Sequence, residues 1–186
     1  MSNSKRVLIP LAEGCEELEA VTIIDLLRRA DINVTTASLI DEPVKCSRGT
    51  VIIADTTLEA VLENSFDLIV LPGGLPGADH LNADPRIHQI ITRHADQGKL
   101  IGAICAAPKV LVNNGLLNGK QATAYPGSLN AIDTSQVELN DSSVQIDENI
   151  ITSKGPGTAM DFALTLIELL LDKASRDAVE NSLQRN

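Results

Sequence analysis

Short apolar runs alternate along the chain with segments whose hydrophobic residues recur at helical spacing. Four runs rich in Val, Ile and Leu predict buried β-strands over residues 6–12, 33–39, 66–71 and 99–104. Segments with helical periodicity lie between most of them, and such alternation is typical of a parallel sheet with right-handed crossovers. The pattern predicts an α/β sandwich, with residues 1–186 forming one domain.

Several helices are predicted from apolar stripes and end signals. The first predicted helix covers residues 17–30, because its hydrophobic residues repeat at i, i+3, i+4 and i+7. The residues of this apolar stripe are Ala20, Ile23, Ile24 and Leu27. Asp84 and Pro85 open another helix as an N-cap and a first-turn proline, and Gly98 ends it. A more polar helix is expected over residues 173–183.

Other segments give weaker signals. Thr158, followed three residues later by Asp161, resembles a capping box for a helix over residues 159–171. Short irregular or antiparallel strands are expected over residues 45–54, 121–124 and 144–152. No repeat or linker-like shift in composition divides the chain.

Composition narrows the classes of function. Hydrophobic residues make up 44% of the chain but aromatic residues only 2%, so the core has to be built from aliphatic side chains. Such a core is typical of a parallel sheet buried on both faces. The net charge of −10 repels a phosphate backbone or an anionic membrane. We therefore expect no nucleic-acid groove.

The apolar segments are too short for targeting or membrane insertion. Residues 7–12 are followed by acidic residues from Glu13 onward, unlike a signal-peptide core. Residues 163–171 are interrupted by Glu168 and fall far short of a membrane-spanning length. The sequence predicts a soluble cytoplasmic protein with no membrane partner.

Three unusual segments follow predicted strands. They are residues 14–19, 72–77 and 103–108. In an open parallel sheet, the loops after the carboxyl ends of the strands form the crevice in which ligands bind. We expect the functional site at these segments.

Cys105 ends an apolar strand and is followed at once by a helix-forming segment, as in a nucleophile elbow. The small residues Ala103 and Ala107 permit the sharp turn, although the full G-x-S-x-G type of pattern is absent. A helix N-terminus there is expected to lower the pKa of the thiol. The alternative is a buried cysteine that acts as a small hydrophobic residue.

Glu19 lies four residues before Ile23, on the helix stripe that faces the core. Next to Cys105, its carboxyl group could share a proton with the sulfur, with its own pKa raised by desolvation. The alternative is a surface carboxylate favoured by the helix dipole, as Glu16 and Glu17 could be.

The loop over residues 72–77 lacks the lysine of a phosphate-binding P-loop and does not match G-x-G-x-x-G. Gly73 and Gly74 nevertheless allow backbone N–H groups to approach a substrate closely. We expect an oxyanion hole formed with the amide of Ala106, and the alternative is a tight turn with no further role.

The histidines and cysteines show no metal-ligand spacing, so no metal site is expected. His80, His88 and His94 all precede Cys105, and each is predicted to lie on the surface. A Cys–His catalytic pair is therefore not evident. The three cysteines lack C-x-x-C spacing, which favours reduced thiols over a disulfide framework.

These segments together resemble the ThiJ/PfpI superfamily, within it the clade of the human Parkinson-disease protein deglycase and bacterial YajL, from Lys5 to Leu170. The shared segments are residues 16–19 (EELE), 46–49 (CSRG), 70–74 (VLPGG), 103–108 (AICAAP) and 153–158 (SKGPGT). The resemblance implies a flavodoxin-like three-layer sandwich with a mostly parallel central sheet, and a homodimer.

The resemblance also implies site residues. Cys105 matches an oxidation-sensitive nucleophile and Glu19 a protonated partner of that thiol, while Gly74 and Ala106 match oxyanion-hole amides. The pocket is expected to include Glu16, Gly73, Leu75, Tyr125 and Pro156. Arg48 matches a residue that reaches the pocket from the partner subunit.

The activities that the resemblance implies need no cofactor. They are conversion of methylglyoxal to lactate without glutathione, and removal of early glyoxal adducts from amines and thiols. A non-catalytic redox-sensing chaperone is the main alternative. A thiazole monophosphate role in thiamine biosynthesis follows from family naming, but the sequence has no phosphate loop for it.

The sequence departs from the family pattern at two places. Tyr125-Pro126 stands where the human pattern has His-Pro, so Tyr125 or water has to replace that histidine. Leu75 occupies a position where a polar residue is common, which should make the rim of the pocket more apolar. PfpI-type proteases have a histidine directly after the cysteine, and Ala106 argues against proteolysis.

Overall fold

The computed structural model describes residues 4–185. Its strands are β1 (Arg6–Leu11), β2 (Asn33–Ser38), β3 (Val44–Lys45), β4 (Val51–Ile52), β5 (Thr56–Thr57), β6 (Leu68–Leu71), β7 (Leu100–Ile104), β8 (Gln121–Ala122), β9 (Glu138–Leu139), β10 (Val144–Asp147) and β11 (Ile150–Ser153). Its helices are α1 (Glu17–Arg29), α2 (Leu58–Val61), α3 (Gly77–Ala83), α4 (Pro85–Asp96), α5 (Pro108–Asn113), α6 (Ala159–Leu170) and α7 (Lys173–Ser182).

A seven-stranded sheet forms the centre, in the order β10-β11-β7-β6-β1-β2-β5. All neighbouring strands in it run parallel except the edge pair β10 and β11, which is antiparallel. The three strands that precede the unusual segments, β1, β6 and β7, are consecutive in the middle of the sheet. The predicted flavodoxin-like, mostly parallel sandwich is confirmed.

Helices cover both faces of the sheet, because successive residues of a strand point to opposite faces. Val7 and Ile9 pack in one cluster with α1, α6 and α7, whereas Leu8 packs on the other face with α4 and α5. None of the helices within residues 4–185 has the length and apolar character needed to cross a membrane.

The packing between β7 and α6 depends on one glycine. Phe162 of α6 is fully buried, and a Cβ placed on Gly102 of β7 would lie 3.0 Å from the tip of its ring. The absence of a side chain at Gly102 therefore makes room for Phe162 above the middle of the sheet. This contact holds α6 close to the strand that ends at Cys105.

The structure confirms one expectation about local structure and corrects another. Residues 144–152, expected to be irregular or antiparallel, form the antiparallel hairpin β10–β11, whose second strand joins the main sheet through β7. The capping box at Thr158 is wrong, because its hydroxyl bonds Gly155 and Ser153 instead of the first turn of α6. In addition, β8 pairs with β9 in the parallel direction.

The surface prediction for His94 is also wrong. His94 is only 5% exposed and lies on the same face of α4 as Ile87, Ile90 and Ile91. Burial lowers the pKa of its imidazole to about 4, so the side chain is neutral near pH 7. The helical spacing of these residues was a sequence signal for its burial.

Replacing Phe162 with alanine should lower the free energy of unfolding by about 3–5 kcal/mol, because it leaves a cavity above Gly102. Met160→Ala on the same helix is the matched control. Met160 is 44% exposed, and its loss should change stability by less than about 0.5 kcal/mol. Urea unfolding measures the free energy of unfolding of both variants. Similar midpoints for the two would contradict this account of the packing.

Candidate active site

Three loops meet at the carboxyl ends of β1, β6 and β7. A Cβ placed on Gly73 would lie 2.6 Å from Cys105 Cβ and 2.8 Å from a carboxylate oxygen of Glu19. A Cβ placed on Gly74 would lie 2.3 Å from the backbone nitrogen of Glu16. The structure therefore brings together the three segments that the sequence indicated, with backbone of residues 73–74 between the thiol and α1.

Cys105 occupies a strained turn directly after β7. Its φ of +64° lies in the left-handed region, which non-glycine residues rarely adopt. Two backbone hydrogen bonds hold this conformation: Cys105 N–H donates to the Ser153 carbonyl at 2.9 Å, and Tyr125 N–H donates to the Cys105 carbonyl at 2.8 Å. The elbow is thus held by the last residue of β11 and by the loop after β8, which the sequence analysis did not anticipate.

Glu19 lies in the first turn of α1 and is completely buried. Its Oε2 accepts a hydrogen bond from the Gly73 N–H at 2.9 Å. Its Oε1 is buried without a hydrogen-bond partner among the described residues. An unpartnered buried carboxylate oxygen is costly, which favours a proton at this position. The core-facing placement predicted from helical spacing is confirmed.

Glu19 and Cys105 shift each other's titration. Burial raises the pKa of Glu19 to about 7, against smaller lowering effects from Cys105 and the Gly73 N–H. Burial, followed by the negative charge of Glu19, raises the pKa of Cys105 to about 12. The expected lowering of the cysteine pKa is therefore wrong. A Cys105 thiolate requires that Glu19 carries the proton, because two adjacent buried charges of one sign repel.

Backbone amides surround the sulfur of Cys105. The N–H groups of Gly74 and Ala106 favour its anionic form and lower the pKa of the thiol, against the larger raising effects of burial and Glu19. Gly74 has a φ of +87°, and the space for a side chain there is filled by the loop over residues 14–16. Helix α5 begins only at Pro108, so these two amides, rather than a helix N-terminus directly after the cysteine, provide the local stabilisation of negative charge.

Glu16 and Arg48 lie at one side of the crevice. Glu16 is mostly buried, accepts a hydrogen bond from the Ser47 hydroxyl at 2.8 Å, and lies 4.0 Å from the Arg48 guanidinium. Arg48 itself is 79% exposed.

Glu17 accepts hydrogen bonds from the backbone of Arg48 and Thr50, and these bonds lower its pKa to about 2. Ser47 and Glu17 thus fasten the β3–β4 hairpin to α1, a role that sequence reasoning missed.

Leu75, Tyr125 and Pro156 occupy the loops at the crevice. Leu75 is 55% exposed and Tyr125 is 52% exposed, whereas Pro156 is partly buried. The tyrosine ring lies over Gly155, where a Cβ would be 3.1 Å from it. Its backbone bond to Cys105 places Tyr125 beside the elbow, although its side chain makes no hydrogen bond among the described residues.

The other two cysteines form a separate pair. Cys15 and Cys46 are buried, and their sulfur atoms lie 3.5 Å apart. Within residues 4–185, no group of three or more His, Cys, Asp or Glu side chains is arranged to hold a metal ion.

Comparisons with known proteins agree with this arrangement. The sequence model described as the DJ-1/PfpI family matches residues 5–169. Protein dj-1beta of Drosophila melanogaster is 42% identical over 97% of both chains. Protein DJ-1 homolog A of Arabidopsis thaliana is 42% identical over 98% of this chain but 47% of its own, so the chain spans about half that relative's length. Glutathione-independent glyoxalase DJR-1.2 of Caenorhabditis elegans is 38% identical over 91% of each chain.

Solved structures of relatives have the same fold. The crystal structure of Drosophila DJ-1beta matches with a TM-score of 0.94 at 42% identity, over 98% of this chain and 99% of that one. A structure of oxidised Toxoplasma gondii DJ-1 matches with a TM-score of 0.91 at 41% identity, over 97% and 98% of the two chains.

The raised pKa of Glu19 predicts a particular dependence of stability on pH. Between an unfolded value near 4.5 and a folded value of about 7, the folded chain binds a proton at Glu19 that the unfolded chain releases. Stability should therefore fall as pH rises through this interval, by about 3 kcal/mol in total from this group. Urea unfolding should show this loss in the wild type but not in Glu19→Gln. Parallel pH curves for the two proteins would contradict the assignment.

Proposed function

Because the chain belongs to the DJ-1/PfpI family, we propose that it is a cysteine-dependent glyoxalase and deglycase that uses neither glutathione nor a cofactor. Its proposed substrates are methylglyoxal, glyoxal and their early adducts on amines and thiols. The observation that carries the proposal is the buried pair of Glu19 and Cys105, facing the amides of Gly74 and Ala106. This pair joins a nucleophile, a proton carrier and an oxyanion site in one crevice.

The reaction begins with transfer of the thiol proton of Cys105 to Glu19 and attack of the thiolate on the aldehyde carbon. The resulting hemithioacetal oxygen is held by the N–H groups of Gly74 and Ala106. Glu19 returns its proton to this oxygen, and its carboxylate form then takes the proton from the hemithioacetal carbon and delivers it to the neighbouring ketone carbon through an enediol. The hydroxyl proton passes from the first oxygen to the former ketone oxygen, which produces the thioester of a 2-hydroxy acid. Water hydrolyses the thioester, releasing lactate from methylglyoxal and regenerating the thiol.

The pKa of Glu19 suits both halves of this proton transfer. A carboxyl group with a pKa of about 7 is present in both protonation states near neutral pH, so it can act both as a proton donor and as a proton acceptor. Tyr125 is exposed beside the elbow, where its hydroxyl group or a water molecule exchanges protons with the substrate oxygen. Early adducts enter the same route once the amine or thiol has left.

A redox-sensing chaperone is the second candidate, and the amides around Cys105 favour it specifically. N–H donors that stabilise an oxyanion also stabilise the oxygen atoms of a cysteine sulfinate. A structure of the Toxoplasma gondii relative is described as oxidised. The two functions differ in turnover, because a sensor requires an oxidation state rather than repeated chemistry at Glu19.

The exposed apolar residues Leu18, Val21, Val51 and Ile53 support a homodimer. The first two lie on one face of α1, and the others lie on or next to β4. The bonds from Glu17 to the backbone of Arg48 and Thr50 hold α1 next to the hairpin that contains β4, and we propose that the four side chains form one surface. A second copy of the chain would bury this surface, with the exposed Arg48 at its border reaching the neighbouring crevice.

Purified wild-type protein should convert methylglyoxal to lactate without glutathione. Cys105→Ala should abolish the activity, and Glu19→Gln should lower kcat by roughly 100-fold or more because the proton shuttle is lost. Cys46→Ala, which removes a thiol outside the crevice, is the matched control and should retain activity. Lactate formed equally by wild type and Cys105→Ala would refute the proposal, whereas oxidation-dependent holdase activity without turnover would favour the sensor.

Sedimentation should show a wild-type dimer at micromolar concentration. Ile53→Glu places a charge in the proposed interface and should weaken the dimer by at least about 2 kcal/mol, roughly 30-fold in Kd. Ile146→Glu on β10, an edge strand of the main sheet that is not part of the proposed interface, should leave the dimer intact. Mixing Arg48→Ala with Cys105→Ala should restore some active sites in heterodimers. A monomeric wild type would overturn both the proposed dimer and the expected recovery of activity in heterodimers.

A further inference from the structure

The pair of Cys15 and Cys46 has no part in the proposed reaction. Cys15 follows β1, Cys46 lies in the turn between β3 and β4, and the two are 31 positions apart in the chain. Both thiols belong to the apolar cluster beneath α1, with exposed fractions of 0% and 4%. Their sulfur atoms are 3.5 Å apart, which is van der Waals contact.

Backbone hydrogen bonds fix the two segments on both sides of the thiols. Gly14 N–H donates to the Lys45 carbonyl at 2.8 Å, and Ser47 N–H donates to the Cys15 carbonyl at 2.8 Å. Segments bonded in this way run about 5 Å apart, like neighbouring strands. That spacing falls within the range of about 4.4–6.8 Å between Cα atoms that a disulfide requires. Bond formation therefore needs a small movement of side chains rather than of the backbone.

We propose that Cys15 and Cys46 are a site of reversible disulfide formation, separate from Cys105. A hydroperoxide oxidises one thiol to a sulfenic acid, with the O–O bond broken and water or an alcohol released. The second thiol then attacks this sulfur, its proton leaves with the hydroxyl group as water, and the S–S bond forms. In total, two thiols lose two protons and two electrons to one hydroperoxide.

The surroundings favour a disulfide over further oxidation at this pair. Glu16 and Glu17 lie close enough to Cys46, and Glu17 to Cys15, to disfavour negative charge on the sulfur atoms. A sulfinate here would be a buried anion beside carboxylates, whereas a disulfide is neutral and fits an apolar cluster. Cys105 differs, because the backbone amides of Gly74 and Ala106 stabilise negative charge on its sulfur. The two sites should thus give different products with the same oxidant.

The disulfide would connect the crevice to the hairpin covalently. Cys15 lies between Gly14 and Glu16, which contact Gly74, and Cys46 precedes the Ser47 that binds Glu16. The closed loop would include α1 and β2, whose freedom in the unfolded chain would be reduced. Formation of the bond should therefore raise Tm by roughly 5–10 °C.

The test uses full-length Cys105→Ala, so that oxidation at the elbow does not contribute. The protein is treated with hydrogen peroxide in a concentration series, denatured with an alkylating agent, and digested without reductant. We expect a peptide linked through Cys15 and Cys46, lost on reduction, together with a higher Tm that returns to its initial value after reduction. Wild type treated in parallel should show Cys105 sulfinate and the same linked peptide.

Cys15→Ala and Cys46→Ala, each combined with Cys105→Ala, are the matched controls and should show neither the linked peptide nor the rise in Tm. The proposal is overturned if both thiols remain alkylatable at peroxide concentrations that fully oxidise Cys105 in the wild type. It is also overturned if Cys15 or Cys46 is recovered as sulfinate, or if wild type links Cys15 to Cys105 instead. All of these readouts are independent of turnover of methylglyoxal.

Discussion

A carboxyl group buried against a thiol is the constraint on which the rest of the site depends. Glu19 is completely enclosed, and one of its oxygen atoms is satisfied only by the Gly73 N–H. In water the group would ionise readily, but desolvation raises its pKa to about 7, so it holds a proton up to near-neutral pH. The same desolvation would make a solitary acid or a solitary thiol unreactive. The proposed reactivity therefore depends on the pair together with the amides of Gly74 and Ala106 around it.

The sheet supplies the rigidity that this pair requires. Because β1, β6 and β7 are adjacent and parallel, the loops that carry Glu16, Gly73 and Cys105 leave the sheet at the same edge. Apolar packing on both faces fixes the strands, and the left-handed conformation of Cys105 is then maintained by bonds to loops from more distant parts of the chain. The strained backbone conformation of Cys105 is thus maintained by contacts across the α/β sandwich rather than by the residues next to it in the sequence.

Sequence reasoning was most successful where the information is local. Helical spacing placed Glu19 on the core-facing stripe of α1, and the small residues around Cys105 indicated the elbow. It failed where an outcome depends on distant partners. The direction of the shift in the cysteine pKa depends on how deeply Glu19 and Cys105 are buried together, and the place of β11 in the main sheet depends on its pairing with β7. The adjacency of Cys15 and Cys46 likewise arises from contacts between segments that no short motif describes.

The close contact of glycines in the crevice restricts how such a site can diversify. Gly14, Gly73, Gly74 and Gly77 each lie where an added Cβ would come within 3.0 Å of a neighbouring loop. A side chain at any of them would displace a second loop, so sequence variation at these positions would damage the chemistry itself. Leu75 and Tyr125 are exposed and free of this restriction. Relatives with altered substrate preference are therefore expected to differ at the rim positions of Leu75 and Tyr125 and to keep these four glycines.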